Sequence, residues 1–254
     1  MTGRREEGVP HHRVVDLAVA VLGLPAAVEE IAGWAGEGRG RMVCLANVHM
    51  VMEAHDDPAF RQVVAGADRV LADGRPLYWL QRRHHPAAGQ VRGEDLTLAL
   101  CRRAAEVGIP VGFHGGRPEV LERLVAEMKG RFPGLQVVWH HSPPFRSLTI
   151  EEEREELEAI RAAAPALLFV GLGCPRQERW MAERRAQLPC VMLGVGAAFD
   201  FIAGSRREAP RWLQRLGLEW LLRLLDEPRR LWRRYLLHNP RFLWLALRQT
   251  MRGD

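Results

Sequence analysis

Short apolar runs alternate with longer amphipathic stretches through most of the chain. MVCLAN (42–47), DRVLAD (68–73), IPVGFHGG (109–116), LQVVWHH (135–141), ALLFVGLG (166–173) and CVMLGVG (190–196) are rich in branched apolar residues and end on turn-forming ones, so each predicts a strand. The helical period appears at 48–66, 75–83, 94–107, 117–132, 151–163 and 175–188. The stretch EEEREEL places carboxylates in a first helical turn, which suits the helix dipole. Strand–helix alternation predicts an α/β fold, a Rossmann-like and mostly parallel sheet with helices on both faces. From about Glu208 only helix signals remain. The expected organisation is a flexible N-terminus (1–12), a core (13–205) and a C-terminal helical basic appendage (206–254).

Composition adds one thing to this picture. The 254 residues carry a formal charge of +5, and 206–254 hold twelve Arg against five acids, a net +7. The rest therefore carries 5 − 7 = −2, so the basicity belongs to the appendage. Arg229, Arg230, Arg233 and Arg234 fall on one arc of about 140° of a helical wheel, with Leu231, Trp232, Tyr235 and Leu236 opposite. A basic face backed by Trp and Leu suits an anionic membrane surface, and the apolar backing argues against nucleic acid. Pro228 and Pro240 are expected to divide the appendage into short helices, and its apolar surface is equally suited to homo-oligomer contacts. No run approaches the roughly 20 apolar residues of a spanning helix, and the N-terminus has no secretory pattern. Cys44, Cys101, Cys174 and Cys190 show no paired spacing and read as reduced thiols of a cytoplasmic protein.

In a parallel sheet, ligands sit beyond the C-terminal strand ends. Those ends hold HGGRP (114–118), GLGCPRQE (171–178) and GVGAAF (194–199). Gly115, Gly116, Gly171 and Gly173 let a backbone approach a phosphate; alternatively they only make tight turns. Arg176 stands where the dinucleotide fingerprint needs its third glycine, which weakens a nucleotide-dependent oxidoreductase. Asp73 closes its strand as a candidate general base, and Asn47 ends another, where its amide can orient a sugar or that carboxylate. The pairs His11–His12, His84–His85 and His140–His141 lack metal-ligand spacing and are expected in solvated loops. With no DxD pair, HExxH or P-loop, no metal and no cofactor are expected, and a leaving diphosphate would be met by dipoles and arginines.

The stretches from Asn47 to Pro58, ADRVLADG (67–74), GEDL (93–96), HGGRPEV (114–120), VGLGCPRQERW (170–180), GVGAAFDFIAG (194–204) and 207–235 together resemble the WecG/TagA/CpsF glycosyltransferases. The resemblance covers about Val43 to Tyr235. It implies inverting, metal-independent transfer of a sugar, first of all N-acetylmannosamine, from a UDP-sugar to a polyprenyl-diphosphate-linked sugar. This would serve cell-surface polysaccharide or teichoic-acid-type synthesis, at the inner face of the cell membrane. Transfer of another UDP-hexose or a hexuronic acid is the alternative within the family. By motif, Asp73 corresponds to the catalytic base, and Asn47 and Gln177 to substrate-site residues. Two positions depart from the pattern: Leu45 stands where the family usually has Thr, and Gln90 where it often has Arg. Arg223, Arg230 and Arg233 are spaced by seven and three residues and are candidates to reach the UDP diphosphate. A non-catalytic nucleotide-sugar or lipid-binding module is the reading outside the enzymes.

Overall fold

The structure, a computed structural model, describes residues 8–252 apart from 207, 208, 211, 214 and 215, with the side chains of Arg223, Arg230, Arg233 and Arg234 outside the description. Six parallel strands form the central sheet, flanked by helices. In chain order they are β3 (Arg41–Ala46), β4 (Arg69–Ala72), β5 (Val111–Gly115), β6 (Val137–His141), β7 (Leu167–Gly171) and β8 (Val191–Gly194). Their order across the sheet is β4-β3-β8-β7-β5-β6. β1 (His11–Val14) and β2 (Leu17–Ala20) make a separate antiparallel hairpin. Every residue of β3, β4, β5 and β8 is buried, as expected of parallel strands covered on both faces. β6 is an edge strand, and His140 and His141 are exposed on it.

The chain forms two compact units. The second comprises Leu24–Cys44 and Gly93–Arg206. It contains α1 (Leu24–Trp34), α5 (Gly93–Val107), α6 (Pro118–Arg131), α7 (Ile150–Ala163), α8 (Arg176–Arg184) and α9 (Ala198–Ile202) around most of the sheet. Phe113 of β5 stacks on Phe169 of β7 at 5.3 Å and meets Phe199 of α9 edge-on at 5.8 Å. Thr149 and Glu152 close a capping box on α7, which fixes the start of the acid-rich helix.

The first unit comprises residues 1–23, 45–92 and 207–254. Its helices are α2 (Val48–Asp56), α3 (Pro58–Ala65), α4 (Arg75–His84), α10 (Glu219–Asp226) and α11 (Pro228–Arg252). The single helix expected over 48–66 is two. Pro58 has no N–H to continue α2, and Asp57 caps α3 by accepting from Ala59 N and Phe60 N. The appendage differs from expectation in the opposite sense. Pro228 starts α11, where its ring costs nothing, and Pro240 lies inside a helix that continues to Arg252. The buried face of this helix holds Leu231, Tyr235, Phe242 and Ala246. Packing of that face against α2 carries the chain through a residue that removes one backbone bond. Arg241 adds two hydrogen bonds to Asp56, at 2.8 and 2.6 Å, and Gln249 bonds Val15 N and Arg13 O beside the hairpin.

Five of the six paired histidines lie on elements rather than in loops, and His85 follows α4 as its extended C-cap. His11 and His12 are in β1, His84 ends α4, and His140 and His141 are in β6. His12 stacks on His84 at 5.2 Å.

Candidate active site

In the first unit, β3 and β4 end side by side. Asp73 N and Gly74 N both donate to Ala46 O, at 2.9 and 3.1 Å, which places Asp73 against Asn47. Gly74 eases this approach: a Cβ there would lie 3.1 Å from Cα and Cβ of Asn47, tighter than an ordinary contact. Asn47 is the N-cap of α2, its Oδ1 accepting from His49 N at 3.1 Å and Met50 N at 3.3 Å. The cap fixes which way the amide faces, and the Asn47 Nδ2 donors have no hydrogen bond among the described residues. Asp73 is half-buried.

Gln90, one of the two departures from the family pattern, and Arg75, which the sequence did not single out, complete this corner. Gln90 Nε2 donates to Asp73 O at 2.7 Å, and Gln90 Oε1 accepts from Arg75 Nη1 at 2.7 Å. The guanidinium of Arg75 also lies 5.3 Å from the Tyr78 ring centroid. Gln90 thus stands where Arg is common, and Arg75 holds a cation against it. The ADGRP run contains the clue, an arginine at a helix start just after the carboxylate. Leu45, the other departure, is buried in β3.

In the second unit the loops after β5, β7 and β8 are drawn together. Gly115 takes φ +109°, and a Cβ on it would sit 2.7 Å from the Gly171 carbonyl carbon. A Cβ on Gly171 would strike the Phe199 ring at 2.6 Å. Gly116 and Gly173 have φ of +77° and +81°, which other residues rarely adopt. Gly116 N donates to Gly171 O at 3.2 Å. Gln177 Oε1 accepts from Gly173 N and Gly196 N, both at 3.1 Å, and Gln177 Nε2 donates to Glu178 Oε1 at 2.7 Å. The expectation that these glycines present their own N–H groups to a phosphate is therefore corrected at Gly116 and Gly173, whose donors are spent inside the chain. Gln177, 3% exposed, acts here as a brace between two loops. What faces outward is the space beside Gly173, clear of other atoms within 4 Å. The starts of α6 and α8, neither capped by a side chain, face outward too. Arg176, exposed at the first position of α8, makes no ion pair among the described residues. Such helix starts favour anions.

Glu178 lies under this brace with no exposed surface. Burial raises its carboxyl above the usual range, opposed by the Gln177 hydrogen bond. Of the arginines proposed for a diphosphate, Arg223 is on α10, whereas Arg230 and Arg233 are on α11. A helix break separates the first from the other two, and the side chains of all three lie outside the described residues.

In the first unit a strand thus ends on a candidate base next to a helix-capping amide, and in the second unit the strands end on glycine turns. Comparison with known proteins sets the class: the protein is a glycosyltransferase. The chain belongs to the glycosyl transferase WecG/TagA/CpsF family, whose sequence profile matches residues 12–254. A protein of Bacillus spizizenii (strain ATCC 23059 / NRRL B-14472 / W23), named N-acetylglucosaminyldiphosphoundecaprenol N-acetyl-beta-D-mannosaminyltransferase, is similar to it. The two are 29% identical over 214 residues, 84% of this chain and 80% of that protein.

Proposed function

We propose that the protein transfers N-acetylmannosamine from UDP-N-acetylmannosamine to N-acetylglucosamine carried on a polyprenyl diphosphate. The reading rests on Asp73, set half-buried against Asn47 at the end of β4, and is supported by the name of the Bacillus relative. The Asp73 carboxylate takes the proton of an acceptor hydroxyl. The freed oxygen attacks the anomeric carbon from the face opposite the leaving group, the bond to the diphosphate breaks, and UDP departs with the electron pair. The product is inverted at that carbon. Asn47 Nδ2 orients a sugar hydroxyl. Arg223, Arg230 and Arg233 are assigned to the leaving charge, so that no metal is required at the diphosphate.

A lipid-linked acceptor places the reaction at the inner face of the cell membrane. No described helix is long and apolar enough to cross a membrane. Attachment is instead assigned to α11, where Trp232, Leu236, Leu243, Trp244 and Leu247 are exposed. The apolar side of such a helix sinks into the headgroup boundary.

Asp73→Asn is expected to fold as wild type does and to lower turnover by about a hundredfold or more, the usual contribution of a positioned base. The assay is mass spectrometry with UDP-N-acetylmannosamine and a lipid-diphosphate N-acetylglucosamine analogue. Turnover near wild type in that variant would remove Asp73 from the reaction, and an absolute need for added Mg2+ or Mn2+ would remove the metal-free chemistry. The Arg75–Gln90 pair favours a second reading of the donor, transfer of another UDP-hexose or a hexuronic acid, because the cation near Asp73 is delivered from a different position. A panel of UDP-sugars in the same assay decides between them.

A further inference from the structure

The packing of α11 on α2 contains a polar cluster that neither the transfer chemistry nor the membrane face uses. His49 and Glu53 are four residues apart on α2, with His49 Nδ1 3.6 Å from Glu53 Oε1. His238 enters from α11, its ring 5.7 Å from that of His49 and tilted by 78°. One ligand atom from each of the three residues lies within 4.8 Å of the other two. We infer that His49, Glu53 and His238 bind one divalent cation of the zinc class, and that the ion clasps α11 to α2.

The geometry is close to what such an ion needs. Bonds of about 2.0–2.1 Å in a tetrahedral arrangement separate neighbouring ligand atoms by roughly 3.3–3.5 Å. The His49–Glu53 pair is already near that spacing, and residues at i and i+4 on one helix face are a common ligand pair. His238, within 4.8 Å of the other two, must approach by up to about 1.4 Å to reach that spacing. Two imidazoles and one carboxylate select a borderline ion such as Zn2+ or Co2+ over Mg2+ or Ca2+, which prefer oxygen. Three protein ligands leave a fourth position for water. The two helices are already held in register by Arg241 on Asp56, three residues beyond His238 and Glu53. This inference does not depend on the identity of the transferred sugar. The adjacent histidine pairs of the chain lack this spacing, whereas the ligand set joins an i,i+4 pair to a residue far along the chain.

The test is calorimetric titration of Zn2+ into chelator-treated full-length protein, with Co2+ absorption as a second readout. Wild type is expected to take up one equivalent with a Kd in the micromolar range or below, to show visible Co2+ bands of four-coordinate type, and to gain thermal stability on binding. His238→Gln is expected to weaken uptake at least tenfold and to lose both the bands and the added stability, while its metal-free Tm stays close to that of metal-free wild type. Glu53→Gln serves as the second variant and is read alone if His238→Gln does not fold. Absence of stoichiometric uptake would overturn the inference and leave His49 and Glu53 as an ion pair. Uptake equal in wild type and both variants would overturn it as well, because the ion would then sit on other histidines.

Discussion

His114 shows how far one side chain can be moved from its ordinary chemistry. It has no exposed surface, and its ring is stacked between Trp180 at 4.4 Å and Trp139 at 5.5 Å. Neither ring nitrogen has a hydrogen bond, and the nearest carboxylate oxygen, of Glu156, is 3.8 Å from Nε2. Burial pushes its pKa down to about 3, with His141 and the Arg184 cation adding to the effect. The folded protein thus keeps this imidazole neutral while the unfolded chain takes up a proton near pH 6.5. Between those values the unfolded state binds more protons, so stability falls as the pH is lowered. From pH 6.5 to 5 the contribution amounts to between about 1 and 2 kcal/mol, the slope steepening as the pH falls. Denaturant unfolding over that range should therefore give a steeper loss for wild type than for His114→Phe, which keeps a ring between the two tryptophans. Equal slopes would assign the acid sensitivity to other groups. Asp73 and Asn47 were legible in the sequence because strand ends are read from pattern. The His114 environment and the Gln90 bridge were not, since each is made by residues that only folding brings together.

At the scale of elements, β5–α6 and β7–α8 emerge from periodicity and glycine placement almost where the structure has them. The β1–β2 hairpin and α1 do not, because each strand is only four residues long and the apolar residues run on from β2 into α1 with little polar punctuation. The break at Asp57–Pro58 was written in a cap and a proline that a long helical period obscured. Pro240 misled in the other direction: local propensity said stop, and the buried face of α11 overrode it. The junction of β3 and β4 gives the sharpest test at this scale. Gly74 has φ of −73° and ψ of 133°, which any residue adopts, so Gly74→Ala changes only its approach to Asn47. Because the Cβ would stand 3.1 Å from Asn47 Cα, the neighbour must shift by a few tenths of an ångström. The expected outcome is a stability loss of about 1 kcal/mol or less and a tenfold or greater fall in kcat. The two are measured by denaturant unfolding and steady-state assay. Unchanged kcat would show that the spacing of Asp73 and Asn47 is not critical.

For the molecule as a whole, the division of charge is the feature that composition made plain, and the structure adds where the apolar surface goes. On α11 one face is spent on α2 and another leaves Leu243, Trp244 and Leu247 exposed at 58%, 58% and 63%. Under the proposed reading, the protein floats with vesicles containing anionic phospholipid, and raising the salt weakens this attachment by screening the arginines. Trp244→Glu combined with Leu247→Glu is expected to cut flotation at least tenfold with little change in Tm, since both side chains are exposed. Flotation equal to wild type would move the contact elsewhere on the surface.

The unbroken course of α11 through Pro240 has a further consequence. Its 25 residues give a rod about 38 Å long at 1.5 Å per residue. A body held along such a line can slide in the plane and roll about one axis, but it cannot tumble. If the protein sits on a membrane as proposed, encounter with a lipid-borne acceptor becomes a search in two dimensions, and the rate on vesicles follows how many acceptors share each patch of membrane rather than how many are in the tube.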